Sequence, residues 1–259
     1  MKNILYIGNA LSSFGKTKTS IETLGSFLSE ILNVKTVSNK ANKVFRLIDM
    51  ILSVISNRSH TDFVLIDTYS TSNFYYALVI SQLCRILQLN YIIILRGGNL
   101  ENRLNKSPIL SHLIFDNAYK LVAPSNFLKS LFKKYNFSEV IFIPNNIKIE
   151  NYKFKKRIIG KIKLLWVRSF SLIYNPNLAI EVADNLHKKG HKTDLCMVGP
   201  EVDGSLKKAE KLSEHLNVKA TFTGKLDKVS WRSLSDNYNI FINTTNFDNT
   251  PVSVIEAMA

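Results

Sequence analysis

Asn239-Ile240-Phe241-Ile242-Asn243-Thr244-Thr245-Asn246-Phe247-Asp248-Asn249-Thr250-Pro251-Val252-Ser253-Val254-Ile255-Glu256-Ala257-Met258-Ala259 changes character twice. Ile240 to Ile242 is a short apolar run suited to a buried strand. A polar loop follows from Asn243 to Thr250. Pro251 stands where a first-turn proline belongs, with Thr250 before it as N-cap, and Val252, Ile255, Glu256 and Ala259 continue at helical spacing. Strand, loop and helix in that order turn a helix N-terminus toward the loop, with its free N–H groups and partial positive charge. Such an end suits an anion. Asp248 in the loop and Glu256 on the helix, seven residues between them, add two carboxylates. The set suits a nucleotide sugar, with diphosphate on the amides and hydroxyls on the carboxylates.

Upstream, strand and helix patterns alternate throughout, the signature of an α/β protein with parallel sheets. Expected strands are 3–7, 34–37, 63–66, 91–95, 120–122 and 140–143, then 163–167, 195–198, 220–222 and 240–242. Expected helices are 20–32, 44–55, 72–87, 108–117 and 125–135, then 176–188, 205–216 and 228–235. Between the two series, Pro144-Asn145-Asn146 and the cationic run Lys153–Arg157 favour turns and solvent. This places a boundary near residue 150, giving Rossmann-like domains over 1–150 and 151–259. In such sheets ligands sit beyond the carboxyl ends of the strands, so the expected site is a cleft faced by both domains.

The stretch from Asp248 to Ala259 resembles the donor-site motif of family 4 of the retaining glycosyltransferases, which have the GT-B fold. The family pattern is Glu, seven residues, Glu, then Ala-Met-Ala or similar; Glu256-Ala257-Met258-Ala259 matches its second half, and Asp248 replaces the first Glu. Asn3–Gly8, Ala123–Phe127 and Ile143–Asn146 look like further landmarks. The resemblance implies that Arg168, at the end of a strand, holds the donor diphosphate, as a guanidinium can do bidentately. Relatives often add a lysine five or six residues later, where this chain has Ile173 and Tyr174. The resemblance also implies that Gly199 and the Gly224-Lys225 turn line nucleobase and ribose. Asn249, Thr250 and Val252 would offer amides to the distal phosphate; Glu256 would take ribose hydroxyls, and Asp248 the transferred sugar. Arg168, Asp248 and Glu256 are thus the catalytic candidates. Gly15, Lys16, Arg96 and Gly97 fall on the acceptor side. No Asp-X-Asp occurs, and no metal or other cofactor is expected. The resemblance implies further strand–helix units beyond Ala259, so an incomplete second domain is expected.

The chain has 259 residues and a formal net charge of +14, a surplus that favours an anionic partner without choosing among nucleotide, phospholipid surface and nucleic acid. No nucleic-acid module is recognisable, and the aromatic residues fall in core-like patterns. Val44–Ile55 and Phe74–Leu89 are the most apolar segments; each is too short or too interrupted by polar residues to span a bilayer. Cys84 and Cys196 lie in apolar runs without metal spacing and read as buried thiols of a reducing cytosol. His60, His112, His187, His191 and His215 show neither ligand nor triad spacing. The expectation is a cytoplasmic hexosyltransferase, peripheral on an anionic inner membrane face, acting on a surface-polysaccharide or lipid-linked glycan acceptor. Two alternatives stand. Ala10–Thr17 fits a relaxed P-loop, with Val64–Asp67 as its Walker B strand, which would make an NTPase. The other is an inactive fragment or binding module of a glycosyltransferase.

Overall fold

Tyr91-Ile92-Ile93-Ile94-Leu95 shows why this chain builds parallel sheets: a continuous apolar run suits a strand covered on both faces. A computed structural model describes residues 1–14, 18–158 and 160–259. The chain divides into two compact units, Met1–Pro144 and Asn145–Ala259.

In the first unit the strands are β1 (Asn3–Ile7), β2 (Asn33–Val37), β3 (Phe63–Thr68), β4 (Tyr91–Leu95), β5 (Lys120–Ala123) and β6 (Val140–Phe142). They form one parallel sheet in the order β2-β1-β3-β4-β5-β6. The helices are α1 (Ser20–Leu28), α2 (Lys43–Asn57), α3 (Asn73–Ile86), α4 (Leu100–Lys106), α5 (Pro108–Phe115) and α6 (Asn126–Lys134). Alternate residues of each strand feed opposite layers. Leu5, Ile7, Val64 and Ile66 join one core; Ile4, Tyr6 and Leu65 join the other. Ser125 caps α6, its Oγ accepting from the Leu128 amide at 3.2 Å. Sequence reasoning missed α4, whose seven residues bury only Leu100 and Leu104, too little apolar periodicity to register.

The second unit has strands β7 (Ile162–Val167), β8 (Thr193–Val198), β9 (Ala220–Gly224) and β10 (Ile240–Phe241), parallel in the order β10-β7-β8-β9. Its helices are α7 (Pro176–Lys188), α8 (Ser205–His215), α9 (Lys228–Ser235) and α10 (Val252–Met258). Leu164 and Trp166 face one core with Ile180 and Met197, whereas Leu165 faces another with Cys196 and Trp231. Each fully buried side chain of this size contributes roughly 1.5–3 kcal/mol. The expected buried strand at 240–242 is shorter, and it is half-buried because an edge strand has a neighbour on one side only. Cys84 and Cys196 are buried and unbonded to each other. Among the described residues no helix is long and apolar enough to cross a membrane.

Candidate functional site

From β7 the chain steps outward to β8 and β9, then returns so that β10 lies on the other side of β7. Adjacent strands whose connections leave in opposite directions open a crevice at their carboxyl ends. Arg168 follows β7 and the loop 243–251 follows β10, so both stand at this switch point.

Arg168 is held from three sides. Its amide donates to the Val198 carbonyl at 3.0 Å, its Nη2 donates to Asp248 Oδ2 at 2.7 Å, and its guanidinium lies 5.0 Å from the Tyr174 ring centroid. Tyr174 therefore sets an aromatic face under the guanidinium at one of the two positions where the resemblance would place a lysine. Burial, then the Asp248 charge, pushes its phenol up, and Arg168 opposes the shift. Gly199 lets the two strand ends meet: a Cβ there would lie 1.6 Å from the Arg168 carbonyl oxygen, a clash no side chain survives. The Gly199 amide also donates to the Gly224 carbonyl at 2.9 Å, and Gly224 itself turns at a φ of 68° before exposed Lys225.

The loop is tied down by Thr244. Its Oγ1 accepts from Trp166 Nε1 at 2.9 Å and donates to the Tyr174 carbonyl at 2.8 Å. Asn246 adds a bond from its amide to the Ile173 carbonyl at 2.9 Å. These struts fix the loop against the turn that carries Tyr174. Asp248 Oδ1 accepts from the Asn249 amide at 2.7 Å, so the Asp248 carboxylate is shared between Arg168 and its own loop.

The start of α10 corrects the expected cap. Thr250 is not the N-cap; Pro251 is, and α10 begins at Val252. The reason is that Asn145 Nδ2 donates to the Thr250 carbonyl at 2.8 Å, while the Pro251 carbonyl takes the helical bonds from Val254 and Ile255 at 3.0 and 3.3 Å. Glu256 is the buried residue of this helix. Its Oε1 accepts from the Tyr152 hydroxyl at 2.7 Å and from Lys228 Nζ. Burial, then the Glu256 bond and charge, pushes the Tyr152 phenol up, which keeps it a donor. Among the described residues, three buried polar atoms here have no hydrogen-bond partner: Arg168 Nε, Asn249 Oδ1 and Ser253 Oγ. Sequence reasoning missed Tyr152, Lys228 and Ser253; none carries a local pattern, because each acts through a tertiary contact.

In the first unit the switch point lies between β1 and β3. Asp67, on β3, accepts at Oδ1 from Tyr6 at 3.0 Å and from Arg96 Nε at 3.2 Å. Burial pushes the Asp67 carboxyl up, against the pull of Arg96 and Tyr6. Asp67 Oδ2 and Thr68 Oγ1 are the other buried polar atoms without partners among the described residues. Gly97 follows at a φ of 81°. Gly15 and Lys16, with Thr17 of the P-loop reading, lie outside the described residues; the helix after them opens at Ser20, with the Thr19 amide donating to Glu22 Oε2 at 3.0 Å.

Comparison with known proteins finds similarity in both sequence and fold. Residues 148–259 match the model for glycosyl transferases group 1. No curated protein matches the chain by sequence. The chain is similar in structure to HepE from Anabaena, in complex with UDP and glucose, with a TM-score of 0.70 and 13% identity, covering 100% of this chain and 78% of HepE. It is similar to the lipopolysaccharide outer core galactosyltransferase WaaB, with a TM-score of 0.63 and 16% identity over 99% of this chain and 78% of WaaB. The UDP-GlcNAc 2-epimerase from Methanocaldococcus jannaschii also shares the fold, with a TM-score of 0.55 and 11% identity over 93% of this chain and 78% of that one. The two sheets are thus Rossmann-like and of the GT-B type. A transferase and an epimerase on one fold leave the reaction to be argued from the site.

Proposed function

We propose that the group 1 glycosyltransferase domain takes a nucleoside diphosphate sugar at the β7–β10 switch point and transfers its sugar, with retention of configuration, to a glycan or lipid-linked glycan acceptor. One observation carries this reading: Arg168 Nε, Asn249 Oδ1 and Ser253 Oγ are buried without partners on the elements that meet there. An unsatisfied buried polar group costs roughly 1–3 kcal/mol, so three together fit a ligand that completes them. Arginine and serine donors suit phosphate oxygens; the asparagine oxygen suits a hydroxyl.

In the reaction the acceptor hydroxyl oxygen bonds to the anomeric carbon on the face the diphosphate leaves. The carbon–oxygen bond to phosphate breaks and its electron pair stays on the phosphate oxygen, which takes the hydroxyl proton. Arg168 offsets the charge developing on that phosphate, and the amides of Thr250 and Val252 assist; the reading requires no metal. Asp248 exchanges part of its hold on Arg168 for the sugar. Glu256 meets the ribose, with Tyr152 and Lys228 fixing its carboxylate. Gly199, Gly224 and Lys225 border the nucleoside. The first unit, through Arg96 and Gly97, takes the acceptor. HepE binds UDP and glucose and WaaB is a lipopolysaccharide galactosyltransferase, which makes uridine diphosphate sugars the first donors to try and a surface glycan, met at the cytoplasmic membrane face, the first acceptor class.

The test is release of nucleoside diphosphate from a panel of nucleotide sugars, with and without glycan acceptors. One donor should be consumed in an acceptor-dependent way, and Arg168→Ala should lower that turnover roughly 100- to 1,000-fold, the usual loss on removing a preorganised charge stabiliser. Equal turnover in the variant would refute the assignment.

A further inference from the structure

Helix α10 is seated against the usual pattern. A surface helix normally turns an apolar stripe to the core. Here the buried side chain is a carboxylate: that of Glu256 is 4% exposed, whereas Val252, Val254 and Ile255 are only partly covered. Among the described residues none of these three joins a hydrophobic cluster. Polar ties therefore place the helix. Asn145 holds its start through the Thr250 carbonyl, and Tyr152 and Lys228 hold its second half through Glu256 Oε1.

The two ties on Glu256 are not equivalent. Lys228 reaches it with a flexible side chain that is 58% exposed, so water and salt screen the pair. Tyr152 reaches it with a stiff ring. That ring is backed by Arg232, whose guanidinium lies 5.2 Å from its centroid and whose Nη1 donates to the neighbouring Asn151 carbonyl at 3.3 Å. On the other side of Tyr152, Arg157 Nη1 donates to the Tyr238 carbonyl at 2.6 Å and to the Ser235 carbonyl at 3.1 Å. The backbone that carries the ring is thus fixed on both sides against the end of α9. A hydroxyl held this way fixes a carboxylate oxygen in direction as well as distance. The other oxygen, Oε2, takes no hydrogen bond among the described residues. An ionised carboxylate accepts at both oxygens, so Oε2 keeps its capacity for a hydroxyl from a ligand.

We infer that Tyr152 is the positioning residue of the ribose end of the donor site: by holding Oε1 it aims Oε2 at a ribose hydroxyl, and so sets a preference for a ribonucleotide over its deoxy form. This rests on the donor reading above and adds to it a residue outside the Asp248–Ala259 stretch. A site built to take a hydroxyl rejects the analogue that lacks it, because its own polar group is left unpaired. The experiment is calorimetric titration of uridine diphosphate and of its 2′-deoxy and 3′-deoxy forms into the full chain and its variants, each checked by its thermal midpoint. The parent should bind the ribo form about tenfold or more tighter than at least one deoxy form. Tyr152→Phe should bring that ratio to within about threefold and bind the deoxy form as the parent does, a split that a general loosening of the fold would not produce. Lys228→Met should narrow the ratio less, as a screened pair does. Should the phenylalanine variant melt early, Arg232→Met serves instead; it removes the cation behind the ring and should narrow the ratio by about threefold. Four outcomes would overturn the inference: a parent that binds ribo and deoxy forms alike, a ratio that Tyr152→Phe and Arg232→Met leave at the parent value, equal losses on both forms, or a larger effect of Lys228→Met than of Tyr152→Phe. Arg168→Ala, titrated alongside, keeps the two readings apart: if it weakens the ribo form while any of these outcomes holds, the donor reading stands and Tyr152 falls. Uridine diphosphate that fails to bind the parent would overturn both.

Discussion

At the β1–β3 switch point Arg96 lies on Asp67 at 3.2 Å; at the β7–β10 switch point Arg168 lies on Asp248 at 2.7 Å. The pairs look alike and differ in where the carboxylate sits. Asp67 belongs to a strand and its side chain is fully buried, whereas Asp248 belongs to a loop and its side chain is 24% exposed. A buried carboxylate has no water to fall back on and must keep its arginine. A loop carboxylate open to solvent can yield part of its hold to an incoming phosphate at little cost. The first pair is therefore an anchor for the sheet end, and the second a seat that a ligand can share.

Removing the anchor should have the largest effect. Asp67→Ala removes the buried carboxylate that accepts from both Tyr6 and Arg96, and chemical denaturation should show a loss of about 3–5 kcal/mol. Donor affinity, measured on the protein still folded, should stay at the parent value. A stability loss under about 1 kcal/mol would instead make the two pairs equivalent.

The site arginine's stacking partner comes next. Tyr174→Leu removes the ring under Arg168, and Tyr174→Phe keeps it. We expect the leucine variant to lose about tenfold in kcat/KM, and the phenylalanine variant to stay within about twofold, since a partly desolvated cation–π contact is worth about 1–2 kcal/mol. Equal losses would show that the hydroxyl, not the ring, matters.

The smallest effect concerns acid. Asp203 joins the turn after β7 to the start of α8, accepting from the Leu172 amide at 3.0 Å and from Ser205 Oγ at 2.5 Å. The Ser205 bond, followed by the Leu172 bond, lowers its carboxyl from 3.8 to about 2. Because the folded value lies below the unfolded one, the stabilisation is complete above the ordinary carboxylate range and is lost as pH falls toward the folded value. Thermal melts across that window should show a small acid-dependent drop that Asp203→Asn flattens. A variant that follows the parent at every pH would remove Asp203 from the account.

The fold was legible because parallel strands covered on both faces write themselves as apolar runs; Tyr91–Leu95 and Leu195–Val198 are examples. Helix α7 was readable to both ends, with Pro176 in its first turn and Gly190 just past it. What failed to show was anything decided at long range. The cap of α10 moved by one residue because Asn145, from the far end of the unit, claims the Thr250 carbonyl. The sequence pointed to Arg168 and Asp248 separately, and only the tertiary structure joins them across eighty positions. Ser253 lies inside the motif yet carries no signal of its own; its hydroxyl matters because it is buried and no group among the described residues satisfies it.

Calorimetric titration of uridine diphosphate into the protein and into Arg168→Ala tests the central claim most directly. The account predicts saturable binding to the parent and a weakening of at least about tenfold in the variant, the loss of one charge-assisted contact. Uridine diphosphate that binds both proteins equally would place the nucleotide away from the β7–β10 switch point and contradict the account.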